Sequence, residues 1–507
     1  SRFREELAEG RDTNDAVRRT VASAGKTVVG SSLTVAGSLA ILLVFPMAFL
    51  RSFAYAGIPV ALLSGIAATL VLPAALALLG TRVNALTVWK RSVRPSSEGF
   101  WSRLSRLVMR RPVAFVVGTL VVMGVLASPF MGLKLGYLDY RVLPPANHVR
   151  QVDDRLAHDF GQGQAEALTV VAPNVAAPEG SAVRADLVDD YAARLSRLAD
   201  VQMVSAETGV FVHGRQLPAP RQYLAQFSNS AGTWLSVVPS LDALSPKGEA
   251  VVAEVRDARA PFNVLVGGMP AQNVDATSAI WSRLPLALGL IALVTLVVLF
   301  LMFNSILIPV KALVLNVISL SATFGAMVWV FQEGHLSSFF GFTPTGNLLA
   351  SIPILMFCVA FGLSMDYEVF LISRIKEHYD LGADNTTAVA TGLQRTGRIV
   401  TAAALTMTVV FVALMTSGIS FIKLFGLGLM LAVLMDAFVV RGMLVPAFMR
   451  LAGRANWWAP RFLTRQRDPA APTGPGPRKP TGVDRAGDDG RSSRSRPLPV
   501  GTGTGAS

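Results

Sequence analysis

Asp366-Tyr367-Glu368 stand together inside an otherwise apolar stretch that runs from Ile352 to Ile372. A carboxylate there is costly, by about 2.5–3.5 kcal/mol at the centre of a membrane helix even on the lenient insertion scale. A group kept at that cost, and able to load and release a proton, suits coupling to a proton gradient. The plainer role is a structural hydrogen bond between helices. Tyr367 adds a hydroxyl donor, and Glu368 a second carboxylate nearer the end of the run that carries Arg374 and Lys376. Asp366, Tyr367 and Glu368 are therefore the candidate proton relay. A second apolar run holds Asp436 with Arg441 five residues on, most simply a buried pair. Thr34 and Thr406 put hydroxyls into apolar runs and could support the carboxylates, although such hydroxyls more often bond their own backbone. His148, His158 and His213 are too scattered for a metal site, and nothing has the spacing of a nucleophile elbow or phosphate loop. No catalytic residue, cofactor or metal is expected.

Elements that could position such groups must lie in a membrane. Hydrophobic residues make up 52% and charged residues 16% of the 507, and mean hydropathy is +0.48, the wrong balance for a water-soluble surface. Eight runs are long enough to span a hydrocarbon core about 30 Å thick: 28–47, 53–79, 112–131, 285–303, 306–331, 350–372, 398–417 and 422–449. The net charge of +13 sits beside these runs, which points to topology and anionic lipid and away from nucleic acid. The single Cys358 lies in an apolar run and leaves no internal disulfide.

Polar segments alternate sides. Residues 81–111, 373–397 and 450 onward share one basic side, the cytoplasmic one by the positive-inside rule. Residues 132–284 carry 16 acids against 13 bases and fall on the extracytoplasmic side. Phe100, Trp101, Leu104, Leu107 and Val108 alternate with arginines at helical spacing, the pattern of a helix in the membrane interface. The expected layout is a connecting helix at 1–27, two spans at 28–80, a basic linker at 81–111, a span at 112–131, an outer domain at 132–284, five spans at 285–450 and a disordered cytoplasmic tail at 451–507. Within the outer segment, strands at 165–171, 201–211, 232–238 and 262–266 and helices at 181–199 and 245–259 follow a β-α-β-β-α-β order. That is a ferredoxin-like α+β unit. The chain opens at Ser1-Arg2 in a charged segment without an initiating Met, as if cut from something longer.

An internal repeat supports that expectation. Ser1-Arg2-Phe3-Arg4-Glu5 recurs as Ser373-Arg374-Ile375-Lys376-Glu377, an offset of 372 residues. At the same offset Gly25-Lys26 meets Gly397-Arg398 and Leu33-Thr34 meets Leu405-Thr406; one inserted residue later, Pro73 meets Pro446 and Gly80 meets Gly453. Residues 1–80 thus copy 373–453.

The run from Gly362-Leu363-Ser364-Met365-Asp366-Tyr367-Glu368 to Ser373-Arg374 resembles the signature of the MMPL (mycobacterial membrane protein large) transporters of the RND (resistance-nodulation-division) superfamily. Val433-Leu434-Met435-Asp436-Ala437, then Arg441, Pro446 and Asn456-Trp457-Trp458, resemble that family's last span. The likeness covers about 1–458. It implies an RND-type helical bundle in the plasma membrane, with the spans here numbered fifth to twelfth. It also implies an Asp-Tyr proton relay on each central helix, the first of which would lie six to seven residues before Ser1. The activity implied is proton-motive-force-driven export of a hydrophobic or amphiphilic molecule, a lipid, glycolipid or polyketide-like product. Its partners would be membrane lipids, the cargo, protons and a second copy of the chain in a homo-oligomer. Multidrug efflux is the near alternative, a SecDF-type protein-export accessory a remoter one, and a non-transporting scaffold a third. The first-half relay and a first outer domain are expected to be missing, and the 507 residues alone are not expected to transport.

Overall fold

The computed structural model describes residues 2–84, 99–136, 139–160, 167–173, 175, 181–241 and 245–459. The tail beyond 459 and residues 85–98 of the basic linker lie outside the described residues. Among those described, eight helices are long and apolar enough to cross a membrane: α1 Thr13–Val44, α2 Ala48–Leu79, then α4 Pro112–Gly132, α7 Met269–Phe303, α8 Leu307–Gln332, α9 Ser351–Asp380, α10 Asn385–Met415 and α11 Ser420–Trp457. The chain is a multi-pass α-helical membrane protein. Several helices outrun the apolar stretches that define them: α7 starts at Met269, well before 285, and α1 starts at Thr13. The stretch at 1–27 is therefore not one connecting helix. A short helix, Arg2–Ala8, ends before Gly10, whose φ of 80° favours glycine. Asp12 then caps α1, its side chain accepting from the Asn14 amide.

The amphipathic helix α3, Phe100–Arg110, precedes α4. Its Trp101 is buried, donates from Nε1 to Thr401 Oγ1 at 3.0 Å and stacks on Phe438. Gly397 makes room for that ring, since a Cβ there would come within 2.4 Å of it.

The repeat in the sequence is a repeat in the backbone. The last span of each half carries a widened π-helical segment at equivalent positions, Ala67–Val71 and Met435–Leu444. Each segment leads into an α-helical stretch with proline as its second residue, Leu72–Leu79 and Val445–Ala452, where the widened backbone just before it accommodates the missing N–H. Each helix then ends at a glycine of positive φ, Gly80 at 49° and Gly453 at 54°.

The segment between α4 and α7 folds in the expected β-α-β-β-α-β order. Strands β1 Leu168–Ala172, β2 Val201–Ala206, β3 Gly209–Val212, β4 Arg215–Leu217, β5 Gly232–Pro239 and β6 Leu265–Gly267 form an antiparallel sheet ordered β4-β3-β2-β5-β1-β6. In the βαββαβ frame this places the fourth strand beside the first, then the third and the second, the ferredoxin-like order. Helices α5, Ala182–Leu195, and α6, Pro246–Asp257, supply Val188, Tyr191, Leu195, Val251, Val252 and Val255 to a core with Leu168, Val170, Val204, Leu235 and Val237. The single strand expected at 201–211 is instead a hairpin. Val204 pairs with Phe211 and Ala206 with Gly209 across a polar two-residue turn, Glu207-Thr208.

Candidate functional site

Helix α9 runs through the middle of the bundle, packed by α1, α8, α10 and α11. Residues two apart on a helix point about 200° from each other, so Asp366 and its neighbours Ser364 and Glu368 face opposite sides of α9. Gly362 lies one turn before Asp366 on the same face. A Cβ there would stand 2.5 Å from Ser38 Oγ, so glycine permits the close approach of α1. That approach brings Ser31 of α1 to Asp366, where the Ser31 hydroxyl donates to the Asp366 carboxylate.

The other face of α9 meets a network. Ser364 Oγ lies 2.8 Å from Asp436 Oδ1 and 2.5 Å from the side chain of Asn316 on α8. A hydroxyl has one proton to give. The two acceptors beside it, Asp436 Oδ1 and Asn316 Oδ1, therefore compete for that one donor. Arg441 Nε donates to Asp436 Oδ2 at 2.8 Å, and Arg441 Nη2 donates to the Ser364 carbonyl. Asp436 and Arg441 are 4% and 2% exposed. They reach each other because Met435–Leu444 is π-helical: a backbone that bonds i to i+5 stacks residues five apart, which an α-helix would turn away from one another. The Arg441 guanidinium also lies 5.3 Å from the centroid of the Tyr367 ring, within cation–π range. Glu368 pairs with Lys311 of α8, Oε1 to Nζ 3.5 Å, both side chains buried.

The structure thus gathers Asp366, Tyr367, Glu368, Asp436 and Arg441 around one stretch of α9. Thr34 and Thr406 do not join them. Thr34 is buried, but its hydroxyl bonds the Ser31 and Gly30 carbonyls of its own helix. Thr406 is exposed and bonds the Ala402 carbonyl. Both follow the ordinary behaviour of hydroxyls in helices, and neither supports the carboxylates. Lys311, Asn316, Ser364 and Ser31 complete the site without having been singled out as site residues in the sequence.

The MMPL family model matches residues 1–115 and 141–474. The chain is 36% identical over 496 residues to the protein named trehalose monomycolate exporter MmpL3 of Mycobacterium tuberculosis, covering 92% of this chain and 51% of that one. It is 39% identical over 468 residues to the putative membrane protein SCO6666 of Streptomyces coelicolor, covering 92% of this chain and 61% of that one. The chain therefore spans about half to three-fifths of these relatives. A solved structure of SecDF, a translocon-associated membrane protein from Thermus, superposes with a TM-score of 0.50 at 13% identity over 89% of this chain and 51% of that one, a likeness of fold alone.

Proposed function

The chain belongs to the MMPL family, and on that footing we propose that it forms part of a proton-driven exporter of a hydrophobic or amphiphilic molecule of the lipid or glycolipid class. The name of MmpL3 as a trehalose monomycolate exporter supports the lipid class. The observation that carries the reading is the setting of Asp366, an ionisable group in a membrane helix whose partner is the neutral Ser31 hydroxyl. Such a carboxyl exchanges a proton without leaving a fixed opposite charge unpaired. Tyr367, between Asp366 and Arg441, extends the path a proton can take. Protonation at the contact of α1 with α9 shifts these helices, and the shift is passed to the ferredoxin-like domain outside.

In this reading 132–284 lies outside the membrane and the loop between α9 and α10 inside. Cysteine labelling at Ser230 and Leu381 with an impermeant reagent tests those sides, and labelling of the second position in intact cells would reverse them. Asp366→Asn in the full-length natural protein tests the relay. Loss of lipid export at normal abundance is expected, because the neutral isostere keeps the shape but releases no proton; normal export would sink the proposal.

A further inference from the structure

Two carboxylates two residues apart on α9, Asp366 and Glu368, have opposite surroundings. Asp366 faces α1 and its hydroxyl partner. Glu368 faces α8 and the Lys311 ammonium at 3.5 Å, with the Lys311 and Glu368 side chains 1% and 4% exposed. We propose that Lys311 and Glu368 remain a fixed ion pair throughout the cycle, positioning the turn of α9 that carries Asp366, and that Glu368 carries no transported proton. This rests on the proton-driven reading above.

Three observations carry it. First, among the described residues Lys311 Nζ and Glu368 Oε1 each lack any other hydrogen-bond partner. Protonating Glu368 would strand the lysine's charge in the bundle, whereas protonating Asp366 strands nothing. Second, the pair sits in register with the network. α8 and α9 run antiparallel, so the Lys311–Glu368 level is followed one turn on by Asn316–Ser364, and Ser364 leads to Asp436 and Arg441. These contacts make α8, α9 and α11 one block. Third, the opposite face of α9 packs closely on α1 at Gly362 but is joined to it by few polar bonds, none of them to a charged partner of Asp366. Among the described residues its polar contacts with α1 are Ser31–Asp366 and, farther toward the inner end, Thr27–Ser373 at 3.5 Å. The face with the charged network carries the fixed pair, and the face with neutral polar contacts carries Asp366.

The full-length natural protein is made as wild type and as Lys311→Met, Glu368→Gln, Lys311→Met/Glu368→Gln and Asp366→Asn, and both folded abundance in the membrane and export per molecule are measured. Each single change at the pair leaves a buried group unmatched, and folded abundance falls roughly tenfold or more. The double variant restores abundance and keeps export within about threefold of wild type, the behaviour of a matched neutral pair. A folded double variant that exports no more than Asp366→Asn overturns the inference. In parallel, wild-type protein is treated with a hydrophobic carbodiimide, which attacks protonated carboxyls, and the modified residue is mapped by mass spectrometry. Modification of Asp366 and not Glu368 is expected; modification of Glu368 overturns the inference even where no variant folds. Normal export by Asp366→Asn would remove the relay reading and leave the structural result at the pair to be judged separately from abundance.

Discussion

The Arg441 guanidinium stands 5.3 Å from the centroid of the Tyr367 ring while its Nε donates to Asp436 at 2.8 Å. One side chain therefore closes the buried charge on α11 and covers the aromatic face of the residue beside Asp366. The pairing depends on the π-helical turn between Asp436 and Arg441. The backbone irregularity and the ion pair are thus parts of one device.

Arg441→Met is expected to destabilise the bundle by about 3–5 kcal/mol, the usual cost of breaking a buried pair from one side. Arg441→Lys retains the charge but loses both the planar fork and the stacking surface, so it should fall between wild type and Met. Asp436→Leu/Arg441→Met should recover most of the loss. Thermal unfolding in detergent orders the four proteins, and a single variant as stable as wild type would show that the pair holds nothing.

The site was legible in the sequence where a charge interrupted an apolar run, as at Asp366 and Asp436. Lys311 carries a similar signal, but it stands five residues inside its run, where a lysine can snorkel to the interface and passes for ordinary. Ser31 carried no signal at all. A serine in a membrane helix is commonplace, and its partner lies 335 residues away, so only packing selects it. Thr34 and Thr406 could be read either way for the same reason, since periodicity does not say whether a hydroxyl turns to a neighbour or back to its own helix. The ferredoxin-like domain was legible in its order, because its strands and helices keep distinct periods. The hairpin at Glu207-Thr208 was not, because its two arms read as one β-rich run.

Gly325 of α8 is expected to tolerate no side chain. An added Cβ would lie 2.0 Å from the Leu126 carbonyl oxygen and 2.9 Å from Ala127 Cα on α4, and backbone cannot rotate away as a side chain can. Gly325→Ala should cost about 1–3 kcal/mol, as overpacking does. Gly289→Ala on α7, with nothing within 4 Å of the new atom, should be neutral or slightly stabilising because alanine favours the helix. Equal effects of the two changes on thermal stability would mean that α4 and α8 do not pack this closely.

The ferredoxin-like domain should lose stability as pH rises out of the acid range. Burial pushes the Asp189 carboxyl up, and the charges of Asp186, Asp190 and Glu207 push it the same way, against hydrogen bonding to Thr208. Burial likewise raises Glu249, against the Asn273 amide that donates to it at 2.6 Å. A carboxyl raised in the folded state binds its proton more tightly there than in the unfolded chain. Its stabilisation is present below the unfolded value, about 4, and is lost as pH climbs through the folded values. Asp189→Asn should flatten that slope. Hydrogen exchange over 182–206, corrected for its intrinsic pH dependence, measures it; a domain that becomes more protected as pH rises through this window would contradict the assignment.

Ser31 gives the relay a test that leaves every charge in place. Its hydroxyl donates to Asp366 across the contact between α1 and α9, and hydrogen bonds to charged groups are worth about 1.5–3 kcal/mol. Ser31→Ala removes the donor and nothing else from an interface that Gly362 already brings close, so the helices should stay packed. If Asp366 exchanges protons at this contact, the lost bond changes the balance between its charged and neutral forms. Export should then fall by about tenfold, in keeping with that energy, and its optimum should move along the pH axis. Ser31→Thr restores the hydroxyl and should restore the profile. The comparison is export per molecule against external pH for the three proteins at matched abundance. An Ala variant that loses export with an unmoved pH profile would make Ser31 a packing residue, and one that exports like wild type at every pH would remove the contact from the mechanism.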